Sequence, residues 1–113
     1  MDHEIAEHDG VRVITLHGPI DVGRAMQLRD LLGAQIDSPS ARVLLDLADV
    51  PLIDSSGIGI LVTAHRRAAD QGARFALAGP AGAVARVFEM TRTNKLLSIH
   101  PTVEEGVAAL RAA

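Results

Sequence analysis

Apolar and polar positions along the chain change rhythm several times, and each change marks a predicted element. Residues 3 to 8 and 11 to 16 flank Asp9-Gly10, a tight-turn dipeptide suited to a hairpin. The second arm, Val11-Arg12-Val13-Ile14-Thr15-Leu16, is β-branched and strand-like, whereas the first, HEIAEH, is short and polar and suits a sheet edge. Gly18-Pro19 closes the hairpin. Ala25, Leu28, Leu32 and Ile36 then recur at helical spacing, predicting a helix over residues 22 to 36 with Asp21 as its N-cap. Arg42-Val43-Leu44-Leu45-Asp46-Leu47 is too continuously apolar for a sheet face open to water and reads as a central, doubly covered strand. An apolar-faced helix follows, from about Gly57 to Asp70, with Gln71-Gly72 as its stop.

Downstream, Arg74 to Ala78 reads as a strand and Gly79-Pro80 as a turn. Ala83, Val84, Val87 and Phe88 mark a third helix reaching Met90. Thr91 to Lys95 reads as a polar loop and Leu96 to Ile99 as a short last strand. Thr102-Val103-Glu104-Glu105 fits a capping box, and Val103, Val107 and Leu110 stripe a final helix. The order ββαβαβαβα predicts an α/β domain, its sheet of about five strands parallel beyond the first hairpin and accompanied by about four helices.

Composition narrows the picture. The 113 residues have room for one core, with 48% apolar residues but no Trp or Tyr, so that core is expected to be aliphatic. A net charge of −3 argues against nucleic acid or an anionic membrane as the main partner. The absence of cysteine removes disulfides, thiol nucleophiles and Cys-ligated metals. No segment approaches the roughly 18 consecutive apolar residues of a membrane span, and Met1-Asp2-His3-Glu4 is not expected to begin a signal peptide. A cytoplasmic protein is the expectation.

Candidate chemistry gathers at Asp54-Ser55-Ser56-Gly57, between the central strand and its helix. Walker-type and dinucleotide-binding glycine motifs are missing, and Lys95 is the only lysine, so no nucleotide cofactor is expected. The five histidines lack zinc-ligand spacing. A serine hydrolase would need a histidine within reach of Ser55 or Ser56. His65 is about nine residues further on, more than two helical turns away, so only tertiary folding of His17 could supply one. The plain reading is that Asp54, Ser55 or Ser56 caps the helix. The sharper reading is that one hydroxyl accepts a phosphoryl group, which adds about −1.5 to −2 charges and is tolerated at a helix N-terminus. The local sequence leaves the choice between Ser55 and Ser56 open.

Ile53-Asp54-Ser55-Ser56-Gly57-Ile58-Gly59, following Val43-Leu44-Leu45-Asp46-Leu47, resembles the signature of the STAS-domain anti-sigma factor antagonists of bacteria. Gly18-Pro19-Ile20-Asp21 is similar to that family's G-E-[LI]-D, with Pro19 departing from the usual acid, and the likeness runs on through Phe88 to Ile99 and Val103 to Leu110. The resemblance implies one STAS domain over residues 1–113, without catalytic activity, cofactor or metal. It makes Ser55 the phosphoacceptor, with Ser56 as second candidate, and expects Asp21 close to Ser55. It places the switch region at Asp21, Asp54, Ser55, Ser56, Gly57 and Ile58. It further implies two partners: an anti-sigma factor of histidine-kinase-like ATPase fold acting as serine kinase, and a metal-dependent PP2C-type serine phosphatase. Val22-Gly23-Arg24-Ala25 lacks the hydroxyl residue that many members place at the start of helix one. Two rival readings share the pattern. One is a stressosome-like scaffold or transporter accessory subunit of the same fold; the other, more distant, is a small serine hydrolase.

Overall fold

The computed structural model describes residues 1–112. The first hairpin is β1 (His3–His8) and β2 (Val11–His17), antiparallel, turning through Asp9 and Gly10, both with positive φ as a type I′ turn requires. The chain continues through α1 (Val22–Gln35), β3 (Arg42–Asp49), α2 (Ser55–Gln71), β4 (Arg74–Ala78), α3 (Gly82–Met90), β5 (Ile99–His100) and α4 (Val103–Arg111). The strands lie in the order β1-β2-β3-β4-β5, parallel from β2 onward. This is the expected α/β architecture.

Sheet order explains the layering. Each new parallel strand is added on the same side of the last, and β-helix-β crossovers are right-handed, so α1, α2 and α3 fall on one face. There Leu28, Leu32, Leu61, Val84 and Phe88 meet Ile14, Leu16, Val43, Leu45, Leu47 and Leu77 in the main core. The opposite face is covered by α4, whose Val107 and Leu110 pack on Val11, Val13, Leu44, Ala76 and Ala78. Strand β3 is therefore buried on both sides, which is why its apolar residues run without alternation. Gly106 is required by the close seating of α4, since a Cβ there would lie 2.7 Å from Leu44. All six residues of β1 are exposed, as a polar edge strand demands.

Two expectations need correction. Helix α2 begins at Ser55 rather than Gly57, because the Asp54 carboxylate caps it and draws both serines into the first turn. The last strand is Ile99–His100 rather than Leu96 to Ile99, and Thr93–Lys95 form a short 3₁₀ turn where a plain loop is expected. Leu97 is the reason. It drops into the main core from the turn, and Leu96 is left outside, so neither can join a ladder that begins beside Leu77.

Candidate switch site

Two chain segments leave the carboxyl ends of neighbouring parallel strands and run on together. Residues 18–21 follow β2 and residues 50–54 follow β3. Ile20 donates its N–H to the Leu52 carbonyl at 2.9 Å, and Asp54 donates its own to the Ile20 carbonyl at 3.1 Å. An Ile20–Ile53 bridge fixes the register, so the next residues along, Asp21 and Asp54, are level with each other. Both isoleucine side chains are buried beneath. Each aspartate then caps a helix, and the N-termini of α1 and α2 open onto the same rim.

The two caps differ in detail. Asp21 accepts the Arg24 N–H at 3.2 Å and an Arg24 guanidinium N–H at 2.9 Å. One oxygen of Asp54 accepts the N–H groups of Ser56 (3.0 Å) and Gly57 (3.2 Å) and the Ser56 hydroxyl (2.5 Å). These donors hold the Asp54 carboxyl below the ordinary carboxylate range: the Ser56 hydroxyl contributes most, then the Gly57 N–H, with smaller help from the N–H groups of Ser56 and Val22.

The two serines are thereby made unequal. Ser56 is half-buried and its hydroxyl is spent on Asp54. Ser55, the first residue of the helix, is exposed, and its hydroxyl is free of the cap that its neighbour serves. Gly57 is buried against Ile20 and Ile53, and Ile58 turns inward to the core. Of the residues expected in the switch region, Asp21, Asp54, Ser55 and Ser56 are gathered on the rim. Gly57 and Ile58 lie beneath it as support.

No histidine pairs with either serine among the described residues. Both ring nitrogens of His17 are engaged by carboxylates, and His65 faces a hollow shared with Arg74, Phe75 and His100. Among the described residues, neither serine has the histidine base that a serine hydrolase uses. The arrangement offers instead an exposed hydroxyl on a helix N-terminus, where added negative charge is tolerated locally.

Sequence reasoning did not single out the apolar rim beside Ser55. Val22 is 75% exposed, Met26 one turn along α1 is 55% exposed, and Leu52 in the facing limb is 47% exposed. The signal was available as apolar residues outside the Ala25-Leu28-Leu32 stripe of α1.

The chain is thus a layered α/β domain with paired helix N-termini and an exposed serine hydroxyl at their junction. The STAS domain family matches residues 2–106, and the chain belongs to that family. Among curated relatives, it is 26% identical to the anti-sigma-F factor antagonist RsfB of Mycobacterium tuberculosis over 108 residues, covering 95% of this chain and 87% of RsfB. A relative from Thermotoga maritima is 31% identical over 70 residues, and the aligned part spans 62% of its length. The crystal structure of an anti-sigma factor antagonist from Mycobacterium paratuberculosis superimposes with a TM-score of 0.85 at 28% identity, covering 97% of this chain and 93% of that one.

Proposed function

We propose that this protein is an anti-sigma factor antagonist whose binding is switched by phosphorylation at Ser55. Unphosphorylated, it binds an anti-sigma factor of histidine-kinase-like ATPase fold and so releases the sigma factor. The same partner, acting as serine kinase, phosphorylates Ser55 and ends the binding, and a PP2C-type phosphatase restores it. The protein is then a substrate for its partners' chemistry and has none of its own.

The observation that carries this reading is the inequality of the two serines. Ser55 is exposed at the helix start, while Ser56 is tied to Asp54. A phosphate on Ser55 sits well with the α2 dipole but brings about −1.5 to −2 charges beside Asp54 and Asp21 and onto a rim flanked by Val22, Met26 and Leu52. A partner surface fitted to a neutral hydroxyl and apolar neighbours is repelled, and the fold is not. The test is to incubate the protein with ATP and its cognate kinase and map phosphate by mass spectrometry. Phosphate is expected on Ser55, and it is expected to vanish in Ser55→Ala but persist in Ser56→Ala. Ser55→Asp is expected to keep the melting temperature while losing kinase binding. Phosphate confined to Ser56, or absent from both, overturns the assignment.

A further inference from the structure

At the point where the two limbs of the switch site leave the sheet, one side chain joins three strands. The His17 Nδ1 lies 2.8 Å from Asp49 Oδ2, at the end of β3, and its Nε2 lies 2.7 Å from Glu4 Oε2, on β1. The backbone repeats the pattern, since the His17 N–H donates to the Asp2 carbonyl at 3.0 Å and the Gly18 N–H to the Asp49 carbonyl at 3.2 Å. A register shift between Thr15 and His17 brings His17 level with Asp49. The ring is 29% exposed, so water reaches it without displacing either partner.

A neutral imidazole carries one N–H and one lone pair. With carboxylate oxygens on both nitrogens, a neutral ring would set its lone pair against one of them. The geometry is satisfied only by the imidazolium, which donates to both.

We propose that His17 is the positioning residue of the switch site, a proton-dependent rivet joining β1, β2 and β3 where residues 18–21 and 50–54 depart. Protonated, it holds Asp49 against β2 and draws the edge strand in. Deprotonated, it releases one carboxylate, and the two limbs lose the anchor at their root. The effect on the switch rests on the reading of Ser55 given above; the rivet itself does not.

The charged groups facing the ring come from either side: Glu4 of β1, Asp2 just before that strand, and Asp49 from β3. Asp46, the next carboxylate back along β3, is level with Thr15 and accepts the Ala48 N–H. The bonds from Glu4 and then Asp49 raise the His17 pKa above the ordinary histidine value, with slight desolvation opposing them and the charges of Asp2 and Asp49 adding to the rise. A raised folded-state pKa means that the rivet's stability is fully present below the ordinary histidine value. It is lost as pH rises through the folded one.

Imidazole NMR of the full chain over neutral to mildly alkaline pH tests the rivet. His17 is expected to titrate above the ordinary histidine value, with both nitrogens protonated at its acid limit, and the backbone shifts of 18–21 and 50–54 are expected to follow the same midpoint. Glu4→Gln, an exposed edge substitution, is expected to move that midpoint down while leaving the fold intact. His17→Gln is expected to remove the fall in melting temperature across that window. Titration of His17 at or below the ordinary histidine value, or limb shifts that stay flat through its midpoint, overturns the proposal. Kinase assays then separate the two readings. Phosphorylation of Ser55 whose rate is unchanged across the His17 midpoint refutes the coupling to the switch, whereas loss of phosphorylation at every pH refutes the switch and leaves the NMR result standing.

Discussion

Two glycines near the start of α2 have opposite reasons for being there. A Cβ on Gly57 would lie 2.5 Å from Ile20 and 2.8 Å from Ile53, the pair that bridges the two limbs. A Cβ on Gly59 meets nothing within 4 Å, and that residue is exposed. Alanine gains about 1 kcal/mol over glycine in a helix interior, but overpacking typically costs about 1–3 kcal/mol. Gly57→Ala is therefore expected to destabilise the fold and push the limbs apart, whereas Gly59→Ala is expected to stabilise it by up to about 1 kcal/mol. Chemical denaturation of the two variants checks the pair. Equal effects of one sign would show that the close approach at Gly57 does not shape the site. The Ser55 hydroxyl and the packing beneath it are thus separable by substitution, since Ser55 is exposed where Gly57 is buried.

At the scale of elements, the site depends on one cap. Asp54 holds the first turn of α2, fixes the Ser56 hydroxyl and leaves Ser55 outside the network. Its lowered pKa means that folding favours the ionised form, so its contribution is present above the ordinary carboxylate value and lost as pH falls through the folded-state value. Asp54→Asn keeps a capping oxygen without the charge. It is expected to melt below wild type at neutral pH, and the gap is expected to close once Asp54 itself is protonated. Thermal melts at neutral pH and well below the carboxylate range measure this, and a gap that does not close means the cap works without its charge. Most elements were legible in the sequence because their rhythm is local: the α1 stripe, the unbroken β3 run and Asp9-Gly10 each name their own structure. The inequality of Ser55 and Ser56 was legible only through family resemblance, because which hydroxyl Asp54 captures depends on where the first turn starts. The last strand was misplaced for a related reason. Leu96-Leu97 looks like a strand pair, but Leu97 serves the core and Leu96 is 56% exposed. The His17 cluster was illegible, since its partners stand 13 and 32 residues away and meet only through the sheet.

For the molecule as a whole, the decisive fact is that helices α1 to α3 share one face and begin at the same end of the sheet. The carboxyl ends of parallel strands are where open α/β sheets place their ligands, and here that end carries the N-termini of α1 and α2 with their aspartate caps and the Ser55 hydroxyl. It also carries Val22, Met26 and Leu52, apolar side chains that the fold leaves in water. Exposure alone does not mark an interface, because Met90 is 76% exposed as well. Met90, however, is the last residue of α3 and belongs to neither limb of the site. Val22→Ser and Met26→Ser are each expected to change folding stability by no more than about 0.5 kcal/mol, as surface substitutions do. Each is expected to weaken binding to the proposed anti-sigma factor partner roughly tenfold, the effect of losing about 1.4 kcal/mol at an interface anchor. Met90→Ser is expected to leave both quantities unchanged. Calorimetric titration of the three variants decides it: equal losses at Met26 and Met90 would mean that general surface hydrophobicity drives association, and no loss at Val22 and Met26 would move the partner off this rim.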